Sequence, residues 1–377
     1  MHSYLVFALT VLTVAGAWAA RVVLSLYALE LGAQPVTIGI LAATFSVLPM
    51  LLSVTAGRLA DRFGSRWLLM LVAAVGASGM LLPYFVPGLP AAFAAAAIIG
   101  LSSGTFDVSL QNLVGLLSDP DKRARNFSNY SLMTAAACLI GPLIAGFSID
   151  YSDHATACLY LALLTLVPIP MLAIWSGNLG GAARPGPRAG GSIKGMLSEP
   201  GVRRVLAISS LLNAGRDLYR FYLPVYAHAV GLSASTIGIL LAMNAAAEFA
   251  VRLNLPWLIA RFRDEKVLAC AFYLGAASLT LVPLFQNVAM LALISFMFGF
   301  GMGGGLPIVM MLMFKNAPEG RSGETLGLRL ATGHFTRLVG PVVFGAIAST
   351  FGLFVMFWVN ALMLGSGGRL SRSENRR

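Results

Sequence analysis

The chain has 377 residues, of which 58% are hydrophobic and only 11% are charged. A soluble domain carries roughly 25% charged residues, so this composition leaves too little polar surface to cover a soluble core. The net charge of +11 does not require a nucleic-acid partner, because basic cytoplasmic loops of membrane proteins produce the same excess. We therefore expect a protein that crosses the bilayer many times and binds no nucleic acid.

Twelve apolar runs follow one another along the chain, and each is a candidate for a transmembrane helix, which takes about 20 residues. A β-barrel would alternate apolar and polar residues in segments of about ten, so the predicted class is an all-α membrane protein. The first run is too long for a cleaved signal peptide, and we expect it to be retained. The runs lie at about 4–29, 36–56, 67–86, 90–117, 127–149, 155–175, 204–228, 235–259, 266–285, 288–313, 325–349 and 351–366.

The charged loops between the runs predict the orientation of the chain. If the N-terminus is cytoplasmic, every basic residue outside the runs falls in a cytoplasmic segment. This is the distribution that the positive-inside rule describes. The sequence therefore predicts cytoplasmic N- and C-termini, in the inner membrane of a bacterium.

A segment rich in glycine and proline divides the chain near its middle. Such composition is typical of a linker. We expect an N-terminal six-helix bundle at 1–175, a cytoplasmic linker at 176–203, a C-terminal six-helix bundle at 204–366 and a cytoplasmic tail at 367–377.

The two halves match each other at a constant offset of 199 residues without a gap. The five residues at 37–41, Thr-Ile-Gly-Ile-Leu, recur at 236–240, and Gly141-Pro142 recurs as Gly340-Pro341. Halves with equal offset and equal helix number are parallel repeats related by an axis along the membrane normal.

The loop between the second and third predicted helices carries the most specific motif. Its pattern G-x-L-x-D-R-x-G resembles the loop motif of the major facilitator superfamily. The matching residues are Gly57, Leu59, Asp61, Arg62, Gly64 and Arg66. With the twelve runs, the repeat and the central linker, the resemblance covers the whole chain.

The resemblance implies two six-helix bundles that rock about a site near the middle of the bilayer and expose it to each side in turn. It also implies a gating role for the loop motif, in which Asp61 contacts the start of the eleventh helix, near residues 322–326, when the cytoplasmic gate is shut. A carboxylate at a helix N-terminus is favourable by about 0.3–1 kcal/mol. The alternative is that Asp61 and Arg62 only cap and solvate the hairpin.

The fifth predicted helix carries Gly141, Pro142 and Gly146. These residues resemble the antiporter motif of the superfamily, which favours export by antiport. Small residues also allow close contact between helices, and the eleventh helix carries a Gly-Pro pair too. Packing between the repeats is therefore the alternative interpretation.

Charged residues inside the apolar runs are the candidates for the transport site. A charge near the bilayer centre costs about 2.5–3.5 kcal/mol on insertion scales, so its presence calls for a function or a partner. The resemblance implies that the first, fourth, seventh and tenth helices line the cavity. The candidates on them are Arg21, Asp107, Arg216, Asp217 and Arg220.

The arginines favour an anionic substrate, because guanidinium groups match carboxylate or phosphate. Arg216 and Arg220 are four residues apart and share a helix face, while Asp217 is three residues from Arg220 and could pair with it. Arg21 and Arg220 are equivalent positions of the repeat. The alternative is that the arginines form structural pairs with the acidic residues or extend towards the headgroups.

A buried carboxylate is also the natural proton carrier of such a protein. Asp107, Asp217 and Glu248 are the candidates, and Glu248 is the best isolated from other charges along its helix. Pairing of Glu248 with Arg252, one turn further on, is the alternative. Asn244 adds hydrogen-bonding capacity at a similar depth.

An enzyme and a sensor are the rival classes. Gly76-Ala77-Ser78-Gly79 matches a short pattern of intramembrane serine proteases, but packing of small residues explains it better. A sensor would be expected to carry an added soluble domain. The three cysteines have no metal-site spacing.

The predicted function is secondary active transport of a small organic solute by alternating access, as proton-coupled export. Proton-coupled uptake of an organic anion is the runner-up. We expect a monomer in the lipid bilayer that uses the proton gradient and needs no cofactor, no metal and no catalytic residues.

Overall fold

The computed structural model describes residues 2–63, 65–116, 123–174, 199–316 and 322–372. These residues form fourteen α-helices and one short 3-10 helix, and they contain no strand. The helices are α1 His2–Glu30, α2 Pro35–Phe63, α3 Ser65–Phe85, α4 Leu89–Leu116, α5 Arg123–Tyr151, α6 His154–Leu166, α7 Pro168–Ile174, α8 Pro200–Ala229, α9 Ala234–Arg261, α10 Asp264–Leu281, the 3-10 helix Val282–Leu284, α11 Val288–Gly303, α12 Gly305–Asn316, α13 Ser322–Phe351 and α14 Leu353–Arg372.

Ten stretches of the described helices are long and apolar enough to cross a membrane. A bilayer forces this outcome, because only a helix satisfies its own backbone hydrogen bonds in lipid. Helices α8 and α13 are 30 residues long as well, but they carry intramembrane charges that lower their hydropathy. Since α6 continues into α7 and α11 into α12 as single stretches, the described residues form twelve helical rods.

The two ends of the bundle differ in which parts of the chain they carry. One end holds His2, Glu199 and Arg372, and we call it the terminal face. The other end holds the turns after α1 and α8 and is called the opposite face. These turns are alike: Gly32 and Gly231 have φ angles of 79° and 82°, a left-handed conformation that glycine adopts without strain.

The two halves touch along two equivalent seams, one between α2 and α13 and one between α5 and α9. A side chain at Gly39 would collide with the carbonyl oxygen of Pro341, and one at Gly238 with that of Pro142. Gly39 and Gly238 are equivalent positions of the repeat, as are Pro142 and Pro341. Each seam is therefore packed backbone against backbone.

Two helix N-termini are capped across these seams at the opposite face. The carboxylate of Asp150 accepts hydrogen bonds from the backbone N–H groups of Ala234, at 3.0 Å, and Ser235, at 2.8 Å. The hydroxyl of Ser349 accepts from the N–H of Val36 at 2.9 Å. Asp150 and Ser349 are equivalent positions of the repeat. These contacts hold the halves together at the opposite face.

The helix-packing motif of α5 lies within these contacts. Gly141 lies against the backbone of Ala15 in α1, while the carbonyl of Pro142 lies against Gly238 in α9. Gly146 also faces the start of α9. The motif thus allows close packing on both sides of α5, and this packing supports the second interpretation of the motif.

Two predicted helix ends require correction. Helix α8 begins at Pro200, inside the predicted linker, because proline is favourable in the first turn of a helix. Helix α14 continues to Arg372, inside the predicted tail. Arg204 supports this extension, since its guanidinium donates to the carbonyls of Leu370, at 2.9 Å, and Ser371, at 3.0 Å.

Candidate functional site

A cavity of about 370 Å³ lies between the halves, lined by α1, α2, α4, α8 and α13. Its lining includes four arginines and two aspartates, an excess of positive charge. Five predicted site residues contribute to it: Arg21, Asp107, Arg216, Asp217 and Arg220. The fourth arginine is Arg337.

Two arginines from equivalent positions of the repeat meet at one aromatic ring. The guanidinium carbon of Arg21 lies 4.9 Å from the ring centre of Trp18, and that of Arg220 lies 4.6 Å from it. Arg21 is also 5.4 Å from the ring centre of Phe45. Cation–π contacts of this kind are worth about 2 kcal/mol when they are desolvated. They hold both guanidinium groups at the cavity wall.

Glu248 lies behind this wall and binds two arginines. Its Oε1 accepts from Arg220 Nη2 at 2.6 Å, and its Oε2 accepts from Arg252 Nη2 at 3.3 Å. The side chain of Glu248 is 4% exposed. Glu248 was expected to be the best isolated of the three carboxylates along its own helix, but in the fold a neighbouring helix supplies Arg220. The alternative pairing with Arg252 is present, as one half of a three-residue cluster.

Asp217 pairs with an arginine from α13. Arg337 Nε donates to Asp217 Oδ2 at 3.0 Å, and the side chains are 45% and 11% exposed. The sequence suggested Arg220 as a partner for Asp217, three residues away on the same helix. That pairing is wrong, because Arg220 is engaged by Glu248 instead.

Asp107 is the exposed carboxylate of the cavity. Arg21 and Arg337 line the same cavity and are the cations that act on it electrostatically. Within the described ranges, no basic group lies close enough to Asp107 to form a salt bridge. The carboxylate of Asp107 thus shares the cavity with Arg21 and Arg337 but forms no salt bridge with either residue.

The buried polar residues of the second half include Asn213, Arg216, Asn244 and Arg329. Arg216 Nη2 donates to Asn213 Oδ1 at 3.4 Å, whereas its Nε has no hydrogen-bond partner in the described part of the chain. Asn244, a predicted site residue, faces α11 rather than the cavity and donates to the carbonyl of Ser295 at 3.5 Å. Arg329 is buried, and its Nε also lacks a described partner.

The gating motif lies mostly outside the described residues. Gly64 and the side chains of Asp61 and Arg62 are not among them, so the contact predicted for Asp61 stays a prediction. Arg66 is described, and its Nη2 donates to the carbonyl of Ala173 at 2.9 Å. This bond joins α3 to α7 at the terminal face.

Ser78, the serine of the protease-like pattern, lies on the exposed surface of α3. Its hydroxyl donates to the carbonyl of Val75 at 2.8 Å. Gly76, in the same pattern, packs against Ser102 of α4. The first contact lies within α3 and the second is packing between α3 and α4.

Sequence reasoning missed the aromatic residues Trp18 and Phe45 and did not place the ionisable α13 residues His334 and Arg337 in the cavity, although all four residues line it. The repeat contained a signal for the first of them. Trp18 is equivalent to Asp217, so a cavity position for one implies a cavity position for the other. Arg337 is equivalent to Cys138, so its signal was not the repeat but its charge inside the eleventh apolar run.

Two like helical halves with a charged cavity between them form the architecture of a secondary transporter. Residues 6–226 and 205–370 match the sequence profile of the Major Facilitator Superfamily. The chain belongs to this family, and it is a multi-pass membrane protein and a secondary transporter.

Curated relatives and solved structures agree with this membership. The chain is 24% identical over 327 residues to the uncharacterized MFS-type transporter YuxJ of Bacillus subtilis, covering 82% of this chain and 81% of that protein. It is 24% identical over 371 residues to sugar efflux transporter A of Escherichia coli, covering 93% and 90%. A POT family transporter in complex with a thioalcohol-conjugated peptide has the same fold, with a TM-score of 0.82, 14% identity and coverage of 98% and 95%.

Proposed function

We propose that this protein exports a small polyhydroxylated solute by proton antiport across the bacterial inner membrane, with both termini cytoplasmic. The observation that carries the proposal is the position of Asp107, a carboxylate that is exposed in the cavity and forms no salt bridge with the described residues. The similarity to a sugar efflux transporter along 93% of the chain supports both export and a sugar-like solute.

The coupling follows from competition for one carboxylate. Ionised Asp107 accepts charge-assisted hydrogen bonds from solute hydroxyls, and a proton on the carboxylate leaves a weaker, neutral acceptor. Proton and solute therefore weaken each other's binding, which is the condition for antiport. Asp217 and Glu248 serve this role less well, because each already binds arginine.

The remaining cavity wall fits a sugar ring. Trp18, Phe45 and Phe221 supply apolar surface, and Arg21 supplies donors for solute oxygens. Binding sites of this kind combine an apolar lining with a few placed polar groups.

Replacement of Asp107 with asparagine is expected to abolish proton coupling. Asparagine keeps the size and the hydrogen-bonding oxygen of the side chain but cannot exchange a proton. In proteoliposomes, an imposed pH gradient should drive solute accumulation by the wild type and not by Asp107→Asn. Counterflow of labelled solute without a gradient should persist in the variant. Gradient-driven accumulation by Asp107→Asn at the wild-type rate would contradict the proposal.

The excess of arginine in the cavity favours a second candidate, proton-coupled uptake of an organic anion. An anion would bind Arg21, and a proton on Asp107 would relieve the repulsion between the two anions. Proton and solute would then favour each other, which gives symport. The two candidates therefore predict opposite effects of pH on binding.

The pH dependence of binding separates the candidates by its sign, since coupling between two ligands is reciprocal. Antiport predicts that glucose binds more weakly as the pH falls, and symport predicts that glucuronate binds more tightly. Thermal stabilisation of the purified protein by each sugar between pH 8 and pH 5 (about 0.1 M salt throughout, since salt screens charge) measures both. Arg21→Gln should weaken glucuronate binding about tenfold or more, because a charge-assisted hydrogen bond is lost. Glucose binding should change much less.

A further inference from the structure

A second open site lies on the outer surface of the bundle, between α10 and α14. This α10–α14 groove has a volume of about 470 Å³. Its walls include Ala276 and Ala277 of α10 and Ala361 and Gly365 of α14, whose small side chains leave the space between the helices unfilled. The groove faces lipid, because both helices are membrane spans.

The two ends of the groove are chemically different. Near the opposite face, Trp358 crosses between the helices and its Nε1 donates to the carbonyl of Thr280 at 3.3 Å. Near the terminal face, Arg369 lines the groove and is exposed. Tyr273 stands beside this end, with its ring against Gly368.

A second cation belongs to the same end. Lys266 is exposed in the first turn of α10 and precedes Tyr273 by seven residues. Residues seven apart lie on one face of a helix, so Lys266 continues the groove face of α10 towards the terminal face. The groove thus has an aromatic end and a cationic end.

The equivalent surface of the first half lacks these features. At the positions of Lys266 and Arg369, the first half has Trp67 and Pro170, and at the position of Gly365 it has Leu166. The two cations and Gly365 are therefore features of the second half that do not follow from the repeat.

The dimensions of the groove fit one lipid chain in one leaflet. Trp358 and Arg369 are eleven residues apart, which is about 16 Å along a helix. Half of the bilayer core is about 15 Å thick. An acyl chain in the groove would end near Trp358, and its headgroup would lie beside Arg369 and Lys266. Basic pockets between transmembrane helices are known to select anionic headgroups.

We propose that the α10–α14 groove binds one anionic phospholipid, with an acyl chain between the helices and the headgroup phosphate between Lys266 and Arg369. The site does not involve the central cavity. Its failure and the failure of the proposed transport function are therefore separate results.

Native mass spectrometry of the full-length protein in detergent measures the binding. Dioleoyl phosphatidylglycerol and dioleoyl phosphatidylcholine share their acyl chains and differ in headgroup charge. The wild type should retain one phosphatidylglycerol molecule in preference to phosphatidylcholine. Lys266→Gln and Arg369→Gln should each weaken phosphatidylglycerol binding about fivefold, and the double variant about 30-fold, since each cation near a headgroup is worth about a fivefold change in affinity. Arg261→Gln, which removes an exposed cation of α9, is the matched control and should leave binding unchanged.

A variant that fills the groove tests separately whether an acyl chain binds between α10 and α14. A side chain at Gly365 meets open space, so Gly365→Leu should fold normally and reduce binding of both lipids. Equal retention of the two lipids by the wild type would overturn the proposal, as would unchanged binding in Gly365→Leu. A mass of two protein chains without lipid, lost in Gly365→Leu, would assign the groove to a second copy and would also overturn it.

Discussion

Glu248→Gln is expected to destabilise the folded protein by about 3–5 kcal/mol, the cost of removing one partner from a buried ion pair. Glu248 is 3% exposed and compensates Arg220 and Arg252. Glutamine has almost the same shape, so packing should be preserved while two partly buried guanidinium groups lose their counter-charge. Thermal unfolding of the purified protein in detergent should show a large fall in midpoint, and transport should be lost.

Asp107→Asn is the matched control for this prediction. It also exchanges an intramembrane carboxylate for an amide, but Asp107 is exposed in the cavity and has no salt-bridge partner among the described residues. Its unfolding midpoint should stay close to that of the wild type. Equal midpoints for Glu248→Gln and the wild type would show that Glu248 does not hold the two arginines in the protein.

Gly238→Val is expected to shift the protein towards the state that is open at the opposite face. The new side chain would meet the carbonyl oxygen of Pro142 across the seam between α5 and α9. Overpacking of this kind costs about 1–3 kcal/mol, which corresponds to a population shift of about five- to 150-fold. The cost applies only to the state in which the seam is closed.

Cysteine labelling can measure this shift. Ser25 is 3% exposed and lies in α1 between the cavity and the opposite face. In a background with Cys138, Cys158 and Cys270 replaced by serine, Ser25→Cys should react with a membrane-impermeant thiol reagent at least about five times faster when Gly238→Val is added.

Gly365→Val is the control for the labelling experiment. It places the same side chain at a helical glycine where the added atoms meet open space, and it should not change the labelling rate of Ser25→Cys. If Gly238→Val also leaves that rate unchanged, the seam at Gly238 does not close the opposite face.

The sequence predicted the fold well, because the bilayer restricts the structures that apolar runs can adopt. Its charge pairings were less predictable. Asp217 lies three residues from Arg220, yet it binds Arg337, which is 120 residues away in sequence. Spacing rules describe neighbours on one helix, whereas the cavity brings together side chains from five helices. The internal repeat can relate positions on different helices, but the two halves differ at Arg337, whose equivalent is Cys138.

The helix ends show a similar limit. Pro200 and Arg372 extend their helices beyond the apolar runs. Hydropathy cannot locate such ends, because Arg204 caps α14 with hydrogen bonds to Leu370 and Ser371 rather than with apolar contact.

The hydrogen bonds of Asp150 and Ser349 across the two seams differ in strength, and this difference predicts which seam separates first when the opposite face opens. A carboxylate binds N–H groups roughly twice as strongly as a neutral hydroxyl does, and Asp150 makes two such bonds where Ser349 makes one. The seam between α2 and α13 is therefore the weaker of the two and should part first, while the seam between α5 and α9 acts as a temporary hinge. The two halves would then separate by rotation about the seam between α5 and α9, and not by parallel translation.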